Sequence, residues 1–125
     1  MPVRFNHTIL AARDKAASAR FFANLFGLPE PELAGPFAVV RLADGELIQF
    51  AEPPVDEIQM QHQAFLVDDD TFDALLARLR EREIDHWADP QRRHPGFNTN
   101  HGGRGVYFLD PAGHGLEAIT TPYAD

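Results

Sequence analysis

Two stretches of the chain carry apolar residues at helical spacing. Lys15 to Phe26 places Ala17, Phe21, Phe22 and Leu25 on one face, and Gly27 then supplies a left-handed stop. Thr71 to Glu83 does the same with Phe72, Leu75, Leu76 and Leu79, so both predict amphipathic helices. Four shorter runs have strand character: Phe37 to Leu42, Leu47 to Phe50, Val106 to Leu109 and Leu116 to Thr120. They flank glycine turns at Asp44-Gly45 and Pro111-Ala112-Gly113, the pattern of two hairpins.

These elements repeat. Phe5-Asn6-His7-Thr8-Ile9-Leu10 resembles Met60-Gln61-His62-Gln63-Ala64-Phe65 at an offset of 55, and each run leads to an aspartate placed to cap a helix, Asp14 and Asp69. The hairpins match at an offset of 68, with Gly45 against Gly113, Ile48 against Leu116, Gln49 against Glu117 and Pro54 against Pro122. The difference, 13 residues, falls within His86 to His101, a stretch too rich in proline and polar residues to be core. A long loop in a compact domain is commonly functional, and a lid or substrate loop is expected there. Each half therefore reads as strand, helix and further strands: an α+β chain of two modules, 1–55 and 56–125. Chance similarity of two ordinary α+β stretches is the competing explanation, and two long matched segments weigh against it.

Composition narrows the chemistry. At 125 residues the chain has the length of a single domain. It is 44% hydrophobic and 24% charged, with no apolar run near the length of a membrane span, and its first residues lack the order of a secretory signal, so a cytoplasmic protein is expected. A net charge of −8 without a basic stripe argues against nucleic acid as a partner. Cysteine is absent, Ser18 is the only serine and Lys15 the only lysine, which leaves little for thiolate, serine-nucleophile or Schiff-base chemistry.

What remains is histidine and carboxylate. His7 and His62 occupy equivalent places on the first strand of each module, and Glu117 sits on the last strand. Two imidazoles and one carboxylate leave open positions on Fe(II), Mn(II) or Zn(II) for a bound substrate. A lone strand histidine is more often a satisfied core residue; two at repeat-equivalent places shift the balance toward ligation. Asp110 reads as a turn residue, and His86, His94 and His114, lacking repeat partners, read as surface groups.

The run Gly105-Val106-Tyr107-Phe108-Leu109-Asp110-Pro111-Ala112-Gly113-His114-Gly115-Leu116-Glu117 resembles the hairpin of the vicinal oxygen chelate superfamily, which includes glyoxalases, extradiol dioxygenases and the fosfomycin- and bleomycin-resistance proteins. The resemblance covers nearly the whole chain. It implies two βαβββ modules forming a cupped mixed sheet, a divalent metal held by His7, His62 and Glu117, a small-molecule substrate with adjacent oxygens, and a homodimer. His101, Val106-Tyr107, Asp110-Pro111 and Glu117 are similar to the extradiol branch, which implies Fe2+ or Mn2+, an acid/base role for His101 and a substrate contact from Tyr107. A glyoxalase-like lyase or isomerase using Zn2+ or Ni2+ is the second reading, against which Gln49 stands where those enzymes often have an acidic ligand. A metal-free binding protein like the bleomycin-resistance proteins is the third. Gln49, Phe50, Trp87, Phe97 and Arg104 are further candidates to line the substrate pocket. For Phe50 core packing is the plainer expectation, and Arg104 offers a planar fork for an anion.

Overall fold

The computed structural model describes residues 1–123. The chain forms two compact units, Met1–Ile58 and a second from Gln59 onward. The first contains β1 (His7–Ala11), α1 (Lys15–Phe26), β2 (Glu32–Ala34), β3 (Phe37–Arg41) and β4 (Leu47–Ala51). The second contains β5 (His62–Leu66), α2 (Asp69–Glu81), β6 (His86–Trp87), β7 (Gly105–Leu109) and β8 (Gly115–Ile119). Both are βαβββ modules, and their four-stranded mixed sheets have the same order: β1-β4-β3-β2 and β5-β8-β7-β6. The register repeats as well. His7 pairs with Leu47 in parallel as His62 pairs with Gly115, and Ile9 with Gln49 as Ala64 with Glu117.

Local chemistry sets the helix ends. The Asp14 carboxylate accepts the Ala17 N–H, and at the far end Gly27 (φ 69°) and Leu28 both donate to the Ala23 carbonyl, closing the helix with a left-handed residue. In the second module the cap is Asp68, whose side chain accepts the Thr71 N–H at 2.8 Å. Asp69, expected as the cap, is instead the first helical residue, because α2 begins one position earlier than the repeat implies. Acidic Asp69 and Asp70 in its first turn and Arg78 and Arg80 in its last complement the helix dipole.

The turns repeat bond for bond. The Leu42 N–H donates to the Glu46 carbonyl around Gly45 (φ 93°), as the Asp110 N–H does to the His114 carbonyl around Gly113 (φ 91°). A Cβ on either glycine would meet nothing within 4 Å, so backbone conformation and not space demands glycine there.

Each sheet buries one face. Leu10, Ala38, Val40, Ile48 and Phe50 form the inner side of the first sheet with Phe22, Leu25 and Phe26 of α1, and Phe22 meets Phe50 at 6.2 Å between ring centroids. Val106, Phe108, Leu116 and Ala118 from the second sheet are buried, as are Phe72, Leu75, Leu76 and Leu79 of α2. Phe50 is fully buried and belongs to this core, so it is not a substrate contact. The outer strands β2 and β6, absent from the hydrophobic pattern, are a three-residue run that is exposed throughout and a two-residue run. No described helix is long and apolar enough to cross a membrane.

Phe50→Ala should lower the stability of the chain to urea unfolding by about 3–5 kcal/mol, the combined cost of lost burial and a residual cavity. A loss below about 1 kcal/mol would contradict its place in the core.

Candidate metal and substrate site

Alternation along the strands sends the remaining side chains to the opposite face of each sheet. On the second sheet His62, Glu117 and Tyr107 share that face, with Glu117 directly between Ala64 and Tyr107 in the cross-strand register. The His62 Nε2–H donates to Glu117 Oε1 at 3.0 Å. The other carboxylate oxygen accepts the Tyr123 hydroxyl at 2.6 Å, and the Tyr107 hydroxyl lies 3.5 Å from that of Tyr123. The Tyr107 ring stacks beside His62 at 6.1 Å, and the His101 ring lies 4.4 Å from Tyr123. Glu117 is only 3% exposed at its side chain, whereas His62 is 51% exposed. A carboxylate so deeply placed is costly unless each oxygen is satisfied, and here both are.

Proton affinities follow from that carboxylate. Burial raises the Tyr107 pKa, assisted by the Tyr123 hydrogen bond and the Glu117 charge. The hydrogen bond to Glu117 likewise raises Tyr123. Both phenols keep their protons well past neutral pH and act there as donors.

On the first sheet His7 is exposed on β1, and its Nδ1 hydrogen-bonds the Asn6 side-chain oxygen at 2.6 Å. An amide oxygen only accepts, so Nδ1 carries the hydrogen and Nε2 keeps its lone pair in the neutral ring. Gln49 on β4, paired with Ile9 and Val39, holds the place that Glu117 holds in the second module.

His62 and Glu117 have the spacing of two neighbouring ligands of a divalent cation. Ligand bonds of about 2.1 Å at right angles put neighbouring donors about 3 Å apart, the observed spacing of His62 Nε2 and Glu117 Oε1. This pair is assembled within the second module, and His7 belongs to the first. Among the described residues no three His, Asp or Glu side chains are gathered closely enough to enclose an ion.

Beside His62 opens a mostly apolar cleft of about 180 Å³, walled by Met60, Trp87, Tyr107, Leu109 and Gly115. Trp87 is therefore at a ligand-sized space. On the other side of Tyr107, Glu117 and Tyr123 border a water-sized niche with His101, Asn98 and Asn100. His101 is exposed and adopts φ 58° within a short 3-10 turn at Asn100–Gly102, a conformation uncommon for a non-glycine residue.

The remaining expectations change. The Arg104 guanidinium is held by Asp73 at 2.6 Å and Asp69 at 3.0 Å and lies over the Phe72 ring, so its fork ties the start of β7 to α2 and is not free for an anion. Those carboxylates raise its pKa. Phe97 packs edge-on against Phe72 at 5.9 Å. The 86–101 segment is more structured than a plain loop, since it contributes β6 and pairs Asn98 with Gly105. Gly103 follows it, where a Cβ would collide with the hydroxyls of Thr120 and Thr121.

His114 is not a surface group: it is buried, and its Nδ1 accepts the backbone N–H of Gln61 at 3.0 Å. Asp110 fulfils its turn role, its Oδ1 accepting from the Ala112 and His114 backbone N–H groups. Burial raises its carboxyl pKa, and Oδ2 finds no partner among the described residues. Tyr123 went unrecognised in the sequence because it lies beyond the last strand, where alternation assigns no face. Its rarity was the available signal, since the chain has two tyrosines and both border Glu117.

Comparison with known proteins agrees with this architecture. The family model of the Glyoxalase/Bleomycin resistance protein/Dioxygenase superfamily matches residues 4–118, and the chain belongs to that superfamily. A solved structure of the oxidase ChaP-H1 is 50% identical, covers 99% of this chain and 100% of its own, and superposes with a TM-score of 0.94. The oxidase ChaP-H2 is 48% identical, with 100% and 98% of the chains covered and a TM-score of 0.94. The glutathione transferase FosA of Serratia marcescens is 29% identical over 119 residues, 90% of this chain and 77% of that protein.

With only two tyrosines, both bordering Glu117, ultraviolet titration reads this site directly. The native chain should develop its tyrosinate absorbance at higher pH than the urea-unfolded chain, which titrates near the ordinary value of about 10. Because the folded-state pKa values are raised, the stability they contribute is complete below pH 10 and is lost as pH climbs above it. Native tyrosines with ordinary titration would contradict the Glu117 cluster.

Proposed function

We propose that the chain is a divalent-metal-dependent oxidative enzyme of the extradiol dioxygenase type, acting on a small substrate with adjacent oxygens. The observation that carries this reading is the His62–Glu117 pair beside a ligand-sized cleft. Half-identical proteins named as oxidases support the oxidative branch over the lyase branch. So does Gln49, an amide where a glyoxalase-like site would have an acidic ligand.

In this reading His7, His62 and Glu117 hold the ion, with Fe2+ or Mn2+ favoured over Zn2+ or Ni2+. When bound, it supplies Lewis acidity to the two substrate oxygens and an open position for O₂. The residues of the chain do the rest. Tyr123 fixes the orientation of the Glu117 carboxylate. Tyr107, protonated at neutral pH, donates to a substrate oxygen from the wall of the cleft. His101, in the niche beside Tyr107, Tyr123 and Glu117, exchanges a proton with solvent, and Trp87 covers the apolar part of the substrate. Phe5, Ile9 and Leu66 are each more than half exposed, apolar surface of the kind that a second copy covers, and a cytoplasmic homodimer is part of this reading.

The test is anaerobic loading of metal-free protein with Fe2+ or Mn2+, followed by oxygen uptake with a panel of catechols. Uptake is expected with at least one of them. Glu117→Gln and His62→Ala should each reduce it by about 100-fold or more, since even residues that merely support metal ligands change activity by 10–100-fold. Absence of uptake with every metal and every diol would overturn the reading.

A further inference from the structure

The turn beyond β6 is fixed more firmly than its composition requires. Ala88 N–H donates to the His94 carbonyl at 2.7 Å, and Trp87 bridges to Pro95. Inside this closure the Asp89 carboxylate accepts the backbone N–H groups of Arg93 and His94. Arg92 N–H donates to the Asp89 carbonyl, and Arg92 itself sits at φ 60°. A left-handed conformation is unfavourable for a residue with a Cβ, so a glycine or asparagine would be the easier choice at a turn of no further use.

That turn delivers an exposed arginine to the mouth of the cleft beside His62. Arg41 and Arg104 have carboxylate partners, but Arg92 forms no ion pair among the described residues. No Asp or Glu lines the cleft, whose other walls include Trp87, Met60, Leu109 and Leu116. An exposed arginine with no ion-pair partner among the described residues, on a backbone held in a defined turn at the rim of an apolar space, has the form of an anion receptor.

We propose that Arg92 is a specificity-determining residue, and that the cleft beside His62 takes a flat apolar molecule carrying an anionic group, carboxylate or sulfonate, which the Arg92 guanidinium meets. This deepens the reading given above, since it takes that cleft as the substrate's. The planar fork of arginine receives a carboxylate through two parallel hydrogen bonds, while Trp87 and Tyr107 flank the apolar body.

The test uses metal-free protein, a chelator and two probes of equal shape without adjacent oxygens: 2-naphthoate and the neutral 2-naphthalenemethanol. Affinity is measured by calorimetry. Trp87 is the only tryptophan, so its indole N–H resonance reports occupancy of the cleft. Both probes should shift that resonance, and 2-naphthoate should bind about tenfold more tightly at low salt, with the difference shrinking as salt rises. Arg92→Asn, which tolerates the left-handed backbone, should abolish the preference, and Arg92→Glu should reverse it. Equal affinity of the two probes, a preference that survives Arg92→Asn, or an unmoved Trp87 resonance would each overturn the proposal. Because neither metal nor adjacent oxygens are involved, an anion preference without oxygen uptake would sink only the dioxygenase reading, and uptake without the preference only this one.

Discussion

A carboxylate almost wholly withdrawn from solvent is the constraint around which the second module is organised. Glu117 sits in the middle of β8, flanked by β5 and β7, and leaving its oxygens unpaired there would cost several kcal/mol. Two groups prevent that, an imidazole from the neighbouring parallel strand and a phenol from beyond the end of β8. Their positions depend on strand register, because a slip of one residue would turn Glu117 into the apolar face. Register in turn depends on the hairpin at Asp110–His114, with its left-handed Gly113 and buried aspartate, and on His114 and Gly115, which bind the two backbone polar groups of Gln61 immediately before His62.

The two modules show how a duplication is divided between roles. Their topology, register and hairpin turns are the same, yet the position filled by Glu117 in one is filled by Gln49 in the other. An amide at the first position adds no second negative charge. The histidines are retained in both, His7 with its Nδ1 tied to Asn6 and His62 with its Nε2 directed at Glu117. Charge is thereby concentrated in one module, which also holds the cleft.

Much of this was legible because period and repeat report directly on the backbone. Phe22 and Leu25 on α1, and Leu75 and Leu79 on α2, mark the buried helix faces, and the repeat put His7 and His62 at equivalent places on the first strand of each module; that His62, Tyr107 and Glu117 share one face follows only from the cross-strand register. What could not be read arises where local pattern does not decide. β2 and β6 are short edge strands whose pairing comes from a neighbour and not from their own alternation. Arg104 resembles a free surface cation until α2 brings Asp69 and Asp73 to it. His114 looked like a surface residue beside a turn, but its burial is imposed by the contact with Gln61, distant in the chain. Tyr123 follows the last strand, and only the folded chain shows its hydroxyl returning to Glu117.

The proposal that His7 and His62 bind one ion is tested most directly by histidine-detected nitrogen NMR of metal-free protein during titration with diamagnetic Zn2+. The Nε2 resonances of His7 and His62 should move together and saturate at one ion per chain, while those of His86 and His94 stay in place. Saturation at the surface histidines alone, or His7 and His62 responding at different metal concentrations, would contradict a shared centre.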